Sequence, residues 1–378
     1  MFGRREQSNR SIGLCTVALL AAPLCCGSPQ VFASYDDGER YAFMGSKAAN
    51  EVYVIDLHSR ARVHTLHLSK APDSVAASNA LRALVIGHAA DSMLTLVDLA
   101  SESLEQYEYP LTLKPQTVLV SPIGETVAIL DRENARLQVH ALRRREVLLT
   151  VDDVRTESEL TFSPDGSTVY WVDQAAGTLQ SADLWSKRRS LRLTTDDSAL
   201  TAMSRSIDGT RGFISDADNA TVHVVNLQEF SLLRASPVGP APGRPWGTAD
   251  GRFMLVPNGN GTVTALSVLT SESLYTVDAV ANPVSINPGW IDTTAAVVGA
   301  DGKLAFINIA DGKELARVDL GNSPQEGIVT SDSRTLAVPL PGALVFFDMQ
   351  KRAQISAIRG LPNDIGPAAL AISNNLCH

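Results

Sequence analysis

Cysteine is almost missing from this chain. Of four in 378 residues, Cys15, Cys25 and Cys26 fall in the N-terminal segment and only Cys377 lies beyond it. One thiol cannot close an internal disulfide, so a small stapled scaffold is excluded and stability must come from a large apolar core. Positive charge is also short. The 32 Lys and Arg are outnumbered by 41 Asp and Glu, giving a net charge of −9. Nucleic acid is therefore excluded as a partner, because it demands a basic footprint. Arg143-Arg144-Arg145 is a basic cluster, and it falls where a solvated hairpin turn is predicted. No Cys-x-x-Cys-His, Gly-x-Ser-x-Gly, His-Glu-x-x-His or phosphate-loop motif occurs. Covalent haem is excluded, and no catalytic constellation is visible.

Long apolar runs are absent too. The stretch from Ile12 to Leu24 offers about 13 residues, short of the roughly 20 that span a bilayer. It follows Arg4, Arg5 and Arg10 and precedes Val31-Phe32-Ala33, the basic, apolar, small-residue order of a secretory signal peptide over residues 1–33. A lipoprotein would want a small residue directly before Cys25, where Leu24 stands. Cleavage after Ala33 removes three Arg and one Glu, leaving 345 residues with a net charge of −11. The expected destination is periplasmic or secreted, with no membrane span after cleavage. Residues 34–378 are expected to form one domain.

What the chain does have is a period. Short apolar runs close on Asp56-Leu57, Asp98-Leu99, Ala141-Leu142, Asp183-Leu184, Asn226-Leu227, Ser267-Val268, Asn308-Ile309 and Asp348-Met349. The successive intervals are 42, 43, 42, 43, 41, 41 and 40 residues. Each repeat reads as four short strands. In residues 157–193 these are Leu160–Ser163, Thr168–Val172, Thr178–Leu184 and Arg189–Leu193, with period-two alternation bounded by Pro, Asp and Gly. A turn recurs in register as Ser121-Pro-Ile-Gly124, Ser163-Pro-Asp-Gly166, Ser206-Ile-Asp-Gly209 and Thr248-Ala-Asp-Gly251, with Gly supplying a positive φ. A four-stranded unit at this spacing is the blade of an all-β, closed β-propeller.

The ends fix the count. Tyr41–Met44, Glu51–Ile55 and Val63–Leu68 read as the second, third and fourth strands of a blade that lacks its inner strand. Seven units follow, opening near Pro72, Pro115, Glu157, Ala199, Pro245, Pro288 and Pro324, and Gly366–Ile372 reads as one more inner strand. Pairing that C-terminal strand with the N-terminal three closes an eight-bladed ring without free edges. Seven blades is the alternative, because the unit at Pro245-Trp246 has a shortened inner strand and that at Pro288 lacks a clear inner turn.

On these residues the chain resembles bacterial YVTN-type propeller repeats. The segments that carry the likeness are Ser163-Pro-Asp-Gly-Ser-Thr-Val-Tyr-Trp-Val, Met254-Leu-Val-Pro-Asn-Gly-Asn-Gly-Thr-Val and Val52-Tyr-Val-Ile-Asp-Leu. The superfamily includes the haem domain of cytochrome-type nitrite reductases and the heavy subunit of amine dehydrogenases. The first comparison implies a His on an early inner strand, yet Pro72-Asp-Ser-Val-Ala-Ala-Ser78 contains none. The second implies a subunit without a cofactor of its own that packs against a quinone-bearing partner.

In a propeller the loops leading into the inner strands share one face with the loops joining second to third strands. The lead-in loops contribute Asp73, Gln116, Glu159, Arg244, Trp246, Trp290, Glu326 and Asp364. The second-to-third loops contribute Lys47, Asn50, His88, Asp91, Asn219 and Asn258. Asp73, His88, Gln116, Arg244, Trp246, Trp290 and Glu326 are the candidate ligand residues at the channel mouth. Trp246 and Trp290 beside Arg244 suit a stacking platform for a flat or anionic ligand, the plainer alternative being that both Trp wedge between blades. His140 and His223 read as packed or solvated strand residues, and His64 and His67 point to opposite faces. For a divalent metal the candidates are His88 with nearby carboxylates, and the terminal Cys377 and His378. No cofactor is predicted, which leaves haem and a divalent metal to test. The expected function is an exported binding or assembly protein that presents a loop face to a partner protein or small ligand. Two alternatives stand: a non-catalytic heavy or accessory subunit of a periplasmic oxidoreductase, and a metal-handling protein.

Overall fold

The structure, a computed structural model, describes residues 35–370 apart from 102, 186, 195–198, 290–292 and 322. The segment read as a signal peptide, Trp290, Cys377 and His378 lie outside the described residues. Thirty-two strands form eight antiparallel sheets of four. Blades 2 to 8 are consecutive meanders over 74–110, 117–152, 161–192, 200–237, 246–278, 283–319 and 328–359.

Blade 1 is composite. Its outer three strands are Tyr41–Ser46, Glu51–Asp56 and Ala61–His67, and its inner strand is Ile365–Leu370 from the far end of the chain. Ala42 pairs with Leu370, Phe43 with Ala369 and Met44 with Ala368. The count is eight, and the closure is the one expected from the unmatched ends.

The recurring pair has a physical cause. The Asp or Asn ends the third strand, and its side chain accepts backbone N–H groups of the turn that follows. Asp56 Oδ1 takes His58 and Ser59, Asn226 Oδ1 takes Gln228 and Glu229, and Asp348 Oδ1 takes Gln350 and Lys351. Such Asx turns satisfy the backbone where the ladder stops. The apolar partner then drops into the core, where Leu57, Leu99, Leu227 and Met349 are buried. The inner turns recur as expected: Gly166, Gly209 and Gly251 have φ near +68°, and Ser163, Ser206 and Thr248 bond the Asp two residues on. A fifth copy, Thr330–Ser333, closes on Ser333 at φ +56° instead of glycine.

Eight apolar clusters hold the ring, each shared by two neighbouring blades. Trp171, 1% exposed, packs with Leu137 and Val139 across one such interface. Phe346 and Leu344 of blade 8 pack on Met44 and Tyr53 of blade 1, so the last interface is as apolar as the rest. Because each blade is sandwiched, its middle strands are buried on both faces. The alternation read in Thr168–Val172 is corrected accordingly: Val169, Tyr170, Trp171 and Val172 are all buried. Half-buried alternation survives in outer strands such as Ser273–Asp278.

One boundary shifts. The inner strand of blade 7 is Pro283–Pro288, ending at the proline near which it was expected to open. Trp290 thus follows this strand in the chain and does not belong to the lead-in loop, which is 279–282.

Candidate functional site

The lead-in loop of blade 6 is unusually stiff. Pro240, Pro242 and Pro245 fix φ along it. Its carbonyls are pinned by blade 5: Ser215 Oγ donates to Gly243 O at 2.6 Å and Ser204 Oγ to Pro245 O at 2.5 Å. The Gly243 N–H returns to Pro257 O at 2.8 Å. Arg244 is therefore held on both sides, with its guanidinium 4.6 Å from the centroid of the Trp246 ring.

From there Arg244 reaches across the ring. Its Nη1 lies 2.5 Å from Glu159 Oε2 in the lead-in loop of blade 4, and 3.6 Å from Glu326 Oε1 in that of blade 8. Glu326 is positioned by its neighbours, since Gln325 N–H bonds Pro339 O and Gly327 N–H bonds Ser285 Oγ. Burial pushes the Glu326 carboxyl above its ordinary range; Arg244 opposes this and the like charge of Glu159 adds to it. Two carboxylates thus share one guanidinium, and the cluster carries surplus negative charge. Trp246 is half-buried and packs against the cluster between blades 6 and 7, so it is both wedge and platform.

The other expected residues do different work. Asp73 Oδ2 accepts the Ala89 N–H at 2.6 Å, and its carboxylate pairs with Lys47. Gln116 Oε1 accepts the Arg132 N–H at 2.6 Å, and Asp364 accepts those of Ser46 Oγ and Ala48 N. All three brace a lead-in loop to the second-to-third loop of the same blade. His88 is 1% exposed, with Nδ1 2.9 Å from Ala71 O and Nε2 2.8 Å from Thr95 Oγ1. The carbonyl can only accept, so Nδ1 carries the proton and Nε2 receives the Thr95 hydroxyl. Both nitrogens are spent, and the carboxylates expected around His88 do not converge on it. Asn258 is buried on Thr262 and Thr264. Among the described residues, no three His, Cys, Asp or Glu are grouped to hold a metal ion.

Sequence reading missed the Asp216–His223 pair, buried in blade 5 with Nε2 3.0 Å from Oδ2. The signal was available: like His88 and Thr95, the two are seven apart across a second-to-third hairpin.

Haem, which the nitrite-reductase resemblance implies, does not fit the described residues. The inner strand of blade 2 offers no histidine, His88 is doubly engaged, and Arg244 is already neutralised by two carboxylates.

No protein-family profile matches the chain, and no curated protein matches its sequence. Solved structures do. The dihydro-heme d1 dehydrogenase NirN in complex with DHE superposes with a TM-score of 0.74 at 15% identity, over 90% of this chain and 77% of that one. Apo AztD from Citrobacter koseri gives 0.65 at 14% identity, over 87% and 97%. BamB from Moraxella catarrhalis gives 0.60 at 13% identity, over 78% and 89%. At such identities the likeness carries the architecture alone. Sequence period, sheet order and these neighbours agree that the chain is an eight-bladed β-propeller.

Proposed function

We propose that this propeller is an exported, periplasmic or secreted binding protein whose lead-in-loop face docks a partner carrying a positively charged group. The observation that carries this reading is Arg244, which draws Glu159 of blade 4 and Glu326 of blade 8 together over the ring. An amine or guanidinium from a partner complements the surplus carboxylate and takes up the position that Arg244 holds in its absence. The pinned loops support the same view, because a preorganised rim loses little entropy on binding.

The test is capture from an envelope extract by the immobilised purified protein, wild type against the double variant Glu159→Gln/Glu326→Gln. A partner retained by the wild type and lost by the variant supports the proposal, and equal retention overturns it. Recovery of a small cofactor-bearing subunit would favour the redox-subunit alternative. Turnover of a substrate by the purified chain alone would sink a purely binding role.

A further inference from the structure

At the opposite end of the blades from Arg244, the second, third and outer strands of blade 4 border a small polar cavity that is partly open to solvent. It has a volume of about 230 Å³ and is lined by Thr168, Ser181, Asp183, Lys187 and Arg189. A water molecule's share of liquid is about 30 Å³, so the space has room for a compact ion together with its waters. Register puts the lining on one face: Thr168 pairs with Asp183, and Ser181 pairs with Arg189. That face looks toward blade 5, since Arg189 donates to Leu227 O at 3.2 Å and Gln228 O at 3.0 Å and stacks 4.5 Å from the Phe230 ring centroid.

Two features of this cavity have no internal explanation. The Ser181 hydroxyl is 1% exposed and has no hydrogen-bond partner, although buried polar groups are almost always paired. Among the described residues Lys187 makes no ion pair, while the carboxylate of Asp183 is turned by its Oδ1 to the backbone N–H groups of Trp185 and Lys187. The cavity therefore presents an ammonium, the remaining donors of a fixed guanidinium and an orphaned hydroxyl, with a net positive charge. Nη1 and Nη2 of Arg189 are held by carbonyls of the next blade, so its charge is fixed in place and its remaining N–H donors are preorganised for an oxyanion.

We propose that this cleft between blades 4 and 5 binds a compact tetrahedral oxyanion of the phosphate class, with Lys187 and Arg189 supplying charge and Ser181 donating its hydroxyl. It shares no residue with the Arg244 cluster, and its failure would leave that reading untouched.

The experiment is calorimetric titration of the purified protein with inorganic phosphate at constant ionic strength, with melting followed in parallel. Saturable binding is expected, with a phosphate-dependent rise in Tm. Lys187→Ala should weaken it about tenfold or more, the effect of losing one charge-assisted contact. Ser181→Ala should also weaken phosphate binding, yet in phosphate-free buffer it should melt at or above the wild type, because it removes a buried unpaired hydroxyl. A merely packed serine would give no such split. Flotation with phosphatidylcholine vesicles containing phosphatidate distinguishes the source: co-flotation lost in Lys187→Ala assigns the oxyanion to a lipid headgroup, and phosphate binding without flotation assigns it to a free ion. Absence of saturable binding in both assays, or unchanged affinity in both variants, overturns the proposal.

Discussion

Ser46 Oγ donates a 2.7 Å hydrogen bond to Asp364 Oδ1 across a chain separation of 318 residues. The same carboxylate accepts the Ala48 N–H at 2.7 Å, so one side chain ties the lead-in to the last strand onto the first hairpin. Asp364→Ala should lower unfolding stability by about 1–2 kcal/mol, as two hydrogen bonds to a charged acceptor are lost. Deleting 364–378 removes the whole inner strand of blade 1 and should lower it by several kcal/mol, out of a total on the order of 5–15. Urea unfolding of both variants checks this, and a deletion that unfolds like the full chain would refute the composite blade.

Acid should weaken the fold through His140. Desolvation by burial holds its pKa down to about 4, from an ordinary 6.5. Its Nε2 lies 3.0 Å from Gln138 Oε1 and its Nδ1 3.3 Å from the Tyr109 hydroxyl, partners that suit a neutral ring. The unfolded chain binds this proton at about pH 6.5 and the folded chain only near 4. The stabilisation is therefore complete above 6.5 and lost as pH falls toward 4, by about 3 kcal/mol in all. A His140→Gln variant should show a flatter melting curve against pH over that window; an identical slope would count against the assignment.

Glu159, Arg244 and Glu326 should behave as one coupled unit. Arg244→Ala leaves two carboxylates facing each other and should cost about 1 kcal/mol, a modest figure because Arg244 is 36% and Glu159 59% exposed. Glu326→Gln, which removes a carboxylate disfavoured by burial, should be close to neutral. In the double variant most of the Arg244→Ala cost should disappear. Strictly additive unfolding energies would show that the three do not interact.

Trp246 should give an intermediate result. A fully buried Trp costs about 3–5 kcal/mol on truncation to alanine, whereas Trp246 is half-buried beside the apolar cluster of blades 6 and 7. Trp246→Ala should cost about 1.5–3 kcal/mol and also reduce partner capture, since Arg244 loses the ring beneath it. A melt matching the wild type together with full capture would remove Trp246 from the site.

The fold was legible because the same local problem recurs eight times. Where most third strands end, a side chain takes the free N–H groups of the next turn, as Asp56, Asp98, Asp183, Asn226, Asn308 and Asp348 do, whereas Ala141 of blade 3 offers none. Proline misled only once. It precedes the inner strand in blades 2, 3, 6 and 8, but Pro288 ends the strand that Pro283 begins. The site was half legible. Strand counting placed Glu159, Arg244 and Glu326 on lead-in loops, but their convergence depends on the curvature of the ring, which no local pattern encodes. His88 shows the converse: its position was correct, but Ala71 and Thr95 decide its chemistry, and both are brought to it by pairing.

The split of blade 1 between the two ends of the chain also governs the order of folding. A chain that emerges N-terminus first can complete seven blades in sequence while Tyr41–Ser46 waits with one edge bare. Joining ends so far apart adds little entropy beyond a short loop, because that cost grows only logarithmically with length. The penalty is time, during which the bare edge accepts any matching strand. The segment that matches it best is Ile365–Leu370 of a second molecule, so crowded refolding should yield dimers that have exchanged their last strands.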